Sequence, residues 1–141
     1  MARILIATIP HKMNSYWDDE LHCVVDCWTD FHDVQIADIE RVILNQVIPF
    51  VIRKECTIHI VDNSLAHGAF SREISEFFKL NIGAGMAKTR VKYLVSIVSI
   101  YSPLSNMSMK GLEGNNEWRN GIYWIEARNL DEALEKIRKI E

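Results

Sequence analysis

Apolar and polar positions follow two periods along this chain, and the switches between them lay out its elements. Arg3 to Ile9 (RILIATI) is β-branched and apolar, and Leu21 to Trp28 sets Leu21, Cys23, Val25 and Cys27 against His22, Val24, Asp26 and Trp28. A period of two predicts a strand for each. The linker Pro10 to Glu20 carries Asn14, Ser15 and Asp18-Asp19, residues that favour turns, so it is expected to join the two strands as an antiparallel pair. From Val34 to about Lys54 the period lengthens: Ile36, Ile39, Ile43, Val47 and Phe50 recur at steps of three and four. That is one face of a helix, with Asp33 placed as its N-cap. Pro49 lies inside the run, and its missing N–H and ring clash predict a kink or an early end.

Thr57 to Asp62 (TIHIVD) reads as the next strand and Asn63 to Phe70 as a loop. A helix capped by Ser71 follows, with Ile74, Phe77, Phe78 and Ile82 as its buried stripe. Gly83 and Gly85 are expected to close or break it. Val91 to Ser99 is apolar at nearly every position, as in a central strand. Ser102-Pro103 supplies a cap and first-turn proline, with Leu104, Met107 and Leu112 beneath. Gly114 to Asn120 is a polar loop, Ile122 to Ile125 a last strand, and Asn129 to Glu132 a capping box opening a helix that buries Leu130, Leu134 and Ile137.

The order β-β-α-β-α-β-α-β-α predicts a single α/β domain over residues 1–141, with one mixed sheet, right-handed crossovers and helices mainly on one face. His59, with Leu94, Ser96 and Val98 or their alternates, is expected on the uncovered face. An apolar patch left there would need a cover, and a two-fold partner supplies one, so a homodimer through that face is expected.

Composition narrows the class of protein. With 48% apolar residues, 25% charged and a formal net charge of -3, the chain is neither disordered nor drawn as a whole to nucleic acid or anionic lipid. No run approaches the ~20 consecutive apolar residues of a membrane span. Three cysteines, Cys23, Cys27 and Cys56, are an odd number without the spacing of a disulfide scaffold, as expected for buried free thiols in the cytoplasm.

Each candidate for chemistry is weak by type or spacing. Gly83 to Thr89 (GAGMAKT) ends in Lys-Thr but has Ala87 where a phosphate loop needs glycine, and it leaves a helix to enter a strand. Asp62, Ser64 and His67 have the residue types of an acyl-transfer triad, yet three neighbours on one loop seldom converge. Turn-tying by Asp62, Asn63 and Ser64 is the simpler role. His22 with Cys23 and His32 with Asp33 have no matching ligand pair elsewhere, and Asp18, Asp19 and Glu20 sit in the linker as solvated carboxylates. Trp17 and Trp118 could border a ligand or membrane surface, while Lys88, Arg90 and Lys92 read as a solvated strand entrance. No catalytic set, metal or cofactor is expected; were there an acid–base group, it would be His67 or His59.

Certain strings carry a likeness. Tyr16-Trp17-Asp18-Asp19-Glu20-Leu21 running into a strand ending at Trp28, then Ile60-Val61-Asp62-Asn63-Ser64, Ser99 to Met109 and Leu130-Asp131-Glu132-Ala133-Leu134 follow one another in an order that resembles the STAS/SpoIIAA-like family of anti-sigma factor antagonists. The nearer likeness is to an uncharacterised bacterial branch of it grouped with lipid-binding domains. Regulatory members carry a phosphorylatable serine in an Asp-Ser-Ser-Gly string, which falls here on Phe70, Ser71, Arg72 and Glu73. The phosphoserine position is Arg72, which speaks against a kinase switch. The resemblance implies a non-catalytic interaction or regulatory module that meets a protein partner through the loop after the third predicted strand, including Asp62, Asn63, Ser64, His67, Phe70 and Ser71. The alternative is a carrier or sensor of a lipid-like ligand, in a cleft opened where Pro49 breaks the first helix and lined by Phe50, Phe77, Phe78 and Met86.

Overall fold

The computed structural model describes residues 3–113 and 121–141. The loop 114–120, and Trp118 with it, lies outside the described residues. One six-stranded sheet runs through the rest, its strands adjacent in chain order: β1 (Arg3–Ile9), β2 (Met13–Asp18), β3 (Cys23–Trp28), β4 (Ile58–Asp62), β5 (Tyr93–Ile97) and β6 (Tyr123–Ala127). The first three form an antiparallel meander, and β3 to β6 are parallel. Helices make the parallel crossovers: α1 (36–54), α2 (72–86) and α3 (Pro103–Glu113), with α4 (Leu130–Ile140) closing the chain. The class is α/β with one mixed sheet, as the periodicity predicts.

The expected linker Pro10 to Glu20 is corrected, because it holds β2, and β1 pairs with that strand rather than with β3. Met13, Ser15 and Trp17 alternate into the core. Ser15 is tolerated there because its hydroxyl donates to Asp26 Oδ1 at 2.6 Å, so a residue that reads as turn-forming serves as a buried strand residue.

The phase of the sheet is also corrected. Across β2 to β6 the register aligns Trp17, Val24, His59, Leu94 and Trp124 on one face, where α1, α2 and Met109 of α3 cover them. His59 and Leu94 are therefore buried beneath helices and do not lie on an uncovered face. The other face carries Val25, Ile60, Val95 and Ile125 in one row, packed with Ala133 and Ile137 of α4. Of the described helices, three lie on the first face and one on the second.

Pro49 does not end α1 early. The helix passes from an α-helical start (Ile36–Asp38) through nine residues of π-helix (Ile39–Val47) to an α-helical end (Ile48–Lys54), with Pro49 the second residue of that last segment and so inside the continuous helix, where its missing N–H forfeits a backbone hydrogen bond. Asp33 does not cap it; the helix begins after Gln35 without a side-chain cap. At the far end the amides of Glu55 and Cys56 donate to Ile52 and Val51, a Schellman closure with Glu55 at φ 54 in the left-handed position glycine favours. Glycine does not break α2 either: it runs Arg72–Phe77, a π-helical Phe78–Ile82, then Gly83–Met86. A Cβ on Gly85 would stand 2.8 Å from Ile48 Cδ1, so this glycine lets α2 pass close against α1. Ser71 and Asn129 cap as expected, accepting from the amides of Ile74 and Glu132.

Candidate functional site

Two neighbouring parallel strands bring an acid and a base together in the interior. Asp26 is the fourth residue of β3 and His59 the second of β4. Both point to the helix-covered face, and both are almost wholly buried, at 5% and 3% exposure. His59 Nε2 lies 2.7 Å from Asp26 Oδ2, and Ser15 fills Oδ1. The carboxylate therefore accepts at each oxygen, which places the imidazole proton on Nε2. His59 Nδ1 is buried and has no partner among the described residues. A buried polar atom left unpaired costs about 1–3 kcal/mol, so this nitrogen calls for an explanation.

The dyad forms one end of a cleft between the sheet and α1, α2 and α3. The rest of the lining is apolar: Ile43 from α1, Phe78, Ile82 and Met86 from α2, Met109 from α3, with Leu94 and Trp124 from the sheet. It encloses about 490 Å³ counting its mouth, but only about 40 Å³ is open to the centre of a water-sized occupant. That is room for a few atoms as it stands. Phe70 joins the lining from an aromatic cluster in which it stacks on Phe31 at 4.1 Å and on Phe78 at 5.1 Å, with Trp28 edge-on at 5.2 Å.

Both helices that roof the cleft turn π-helical where they do so. Ile43 belongs to the π segment of α1, and Phe78 and Ile82 to that of α2. Fewer than about 1% of residues are π-helical, and such segments concentrate at functional sites. Here two of them face one cavity.

The residues singled out from sequence divide among several places. Phe70, Phe78 and Met86 line the cleft. Phe77 packs half-buried against the same core without lining it. Phe50 lies elsewhere, edge-on to Trp17 at 5.6 Å in a surface groove with Ile4, Ile6 and Lys54, and Trp17 is buried beneath it. Asp62, Ser64 and His67 are not assembled as a triad: Asp62 Oδ1 accepts from the Ser64 amide at 2.9 Å, while the exposed His67 ring stacks on Tyr101 at 5.1 Å. Asn63 is fully buried with both side-chain amide atoms unpaired, so it does not tie the turn through its side chain; its backbone does, through Ile97 O and the Ala66 amide. Ser71 is committed to its cap.

A second pocket, on the opposite face at the C-terminal ends of the parallel strands, is lined by Arg3, Asp62, Ser64, Arg128 and Asn129. Its two guanidiniums are already paired, Arg3 with Asp18 at 3.0 Å and Arg128 with Glu132 at 2.8 Å, so it presents no free cation to an anion. Sequence reasoning missed Asp26 altogether. The signal was there in retrospect: an aspartate in mid-strand between Val25 and Cys27, and a histidine likewise between Ile58 and Ile60.

No family model, curated protein or solved structure matches the chain, and among the described residues no helix is long and apolar enough to cross a membrane.

Proposed function

We propose that this protein is a cytoplasmic binding module for a small, largely apolar molecule with one polar group, held in the cleft between the sheet and α1 and α2. The observation that carries the reading is His59, whose buried Nδ1 has no partner among the described residues and which lines a cleft whose walls are otherwise mostly aliphatic and aromatic. Small-molecule sites have that composition, with few polar groups set among apolar walls. The guest does not enter by simple diffusion into a preformed hole, since about 40 Å³ is too little for a ring. Entry requires Met86, Met109 and the π-helical turns to yield, and flexible methionines are suited to that.

The test is a titration with benzene followed by thermal unfolding. A ligand that binds only the folded state raises the melting temperature with concentration, and an Ile82→Phe variant, with its ring occupying the cleft, should lose the effect. No rise in the wild type would remove the reading. Organic extraction of freshly purified protein shows whether a natural guest is carried through.

A second reading, the STAS-like interaction module, is favoured by a different observation. Ile100 and Tyr101, together with Leu104 and Met107, which are expected beneath the helix but point outward, are all more than half exposed on the turn into α3 and its first two turns, next to Leu65 on the loop after β4. Several large apolar side chains gathered in water suit a protein partner, a second copy of this chain included. Tyr101→Lys with Leu104→Asp should abolish such a contact and leave benzene binding intact.

A further inference from the structure

The dyad also specifies what kind of polar group the guest must bring. Ser15 and His59 Nε2 supply Asp26 with two donors, and a neutral imidazole with its proton on Nε2 leaves a lone pair, not a proton, at Nδ1. The complement of a buried lone pair is a donor. A second carboxylate in the same apolar cleft would have to lie near the carboxylate of Asp26 with little water to screen the two, which is the costly arrangement of like charges. We propose that His59 Nδ1 accepts a hydrogen bond from the hydroxyl of a neutral, otherwise apolar guest, so that the ligand class is a phenol or alcohol and not a carboxylic acid. This rests on the cleft being the binding site.

Ser15 and Asp26 are then positioning residues. Ser15, itself fully buried, holds Asp26; Asp26 holds the ring and its tautomer; His59 supplies the hydrogen bond to the guest. The same arrangement, in which one ring nitrogen is fixed by a carboxylate so that the other is fixed in role, recurs wherever a histidine must present a defined lone pair. It also explains why the hydrogen-bonding groups lie on the strands and not on the π-helical roof: the recognition group is rigid while the roof can part.

The experiment uses the full-length chain and three probes of nearly equal shape, benzene, phenol and benzoate, titrated against side-chain methyl resonances. Phenol should bind at least about tenfold more tightly than benzene and than benzoate, the amount one hydrogen bond made in an apolar site supplies. In an Asp26→Leu/His59→Leu double variant, which buries neither charge nor imidazole, the preference should vanish while benzene still binds. Equal binding of phenol and benzene by the wild type would overturn the role of His59 and leave the cleft as the site. Tightest binding of benzoate would overturn it too, because Nδ1 would then be a donor. Binding of none of the three would overturn the cleft itself. The ranking in the wild type decides the matter even if the double variant does not fold.

Discussion

The two faces of this sheet are built from the same strands and to opposite ends. Beneath α4, the row Val25, Ile60, Val95 and Ile125 is at most 6% exposed and meets Ala133 and Ile137. Aliphatic side chains there touch aliphatic side chains at close range, as protein interiors normally do. Beneath α1 and α2, the equivalent row places His59 between Val24 and Leu94, and Asp26 beside it, below a roof with two π-helical stretches and an incompletely filled cleft. The buried ionisable pair and both π-helical stretches fall on the second of these faces. A buried ionisable pair is a poor way to gain stability, since hydrophobic residues of similar volume do as well or better; its presence on one face alone argues that the α4 face holds the fold and the α1–α2 face does the work.

The largest effect that would sharpen this contrast comes from splitting the pair. His59→Leu leaves the Asp26 carboxylate buried with only Ser15, and urea unfolding should show a loss of about 3–5 kcal/mol. The double variant Asp26→Leu/His59→Leu should recover most of that or exceed the wild type. A double variant as unstable as the single would mean the dyad is structural.

Overpacking comes next. Val95→Phe forces a ring into the filled face and should cost about 3 kcal/mol, whereas Ile82→Phe directs one at the cleft and should cost less than about 1 kcal/mol. Equal costs would break the comparison, because the cleft would then be as tightly specified as the α4 face.

The thiols measure the same asymmetry by rate and by pH. Burial, followed by the nearby Asp18 and Cys56, pushes the Cys23 thiol up to about 12, and burial with Asp62 pushes Cys27 to about 11. Both are acids whose folded value is raised, so the folded state keeps protons that unfolded thiols release above about pH 8.5. Stability is full below that pH and should fall steadily toward pH 11. At neutral pH a thiol reagent should modify the half-buried Cys27 first, then Cys56 of the α1–α2 core through local opening, and Cys23 of the α4 face last, at the rate of global unfolding. Cys23 reacting before Cys56 would reverse the assignment of the stable face.

The smallest expected effect lies at the end of α1. Glu55→Gly relieves a left-handed residue whose side chain makes an exposed ion pair with Arg90 at 3.6 Å, and should raise stability by about 0.5–1 kcal/mol in thermal or urea unfolding.

What the sequence made legible was local. The stripe Ile39, Ile43 and Val47, the caps Ser71, Ser102 and Asn129, and the order of crossovers all depend on residues within a few positions of one another, and all stand in the structure. A cleft beside the first two helices is expected from Pro49 and is present, although neither Pro49 nor Phe50 lines it. What stayed hidden was set by distant partners. Ser15 could be read as a strand residue only with knowledge of Asp26, and His59 could be placed inside only with Asp26, 33 residues away, to receive its proton. Polar residues in TIHIVD point outward by default, and here that default fails at the residue that matters most for function.

The most direct measurement is a map of methyl chemical shifts in the full chain during titration with phenol. The account predicts saturable shifts at Ile43, Ile82, Met86, Leu94 and Met109, with Val25, Ile60, Val95 and Ile97 unmoved. Shifts spread evenly over both sets, or confined to the second, would contradict it.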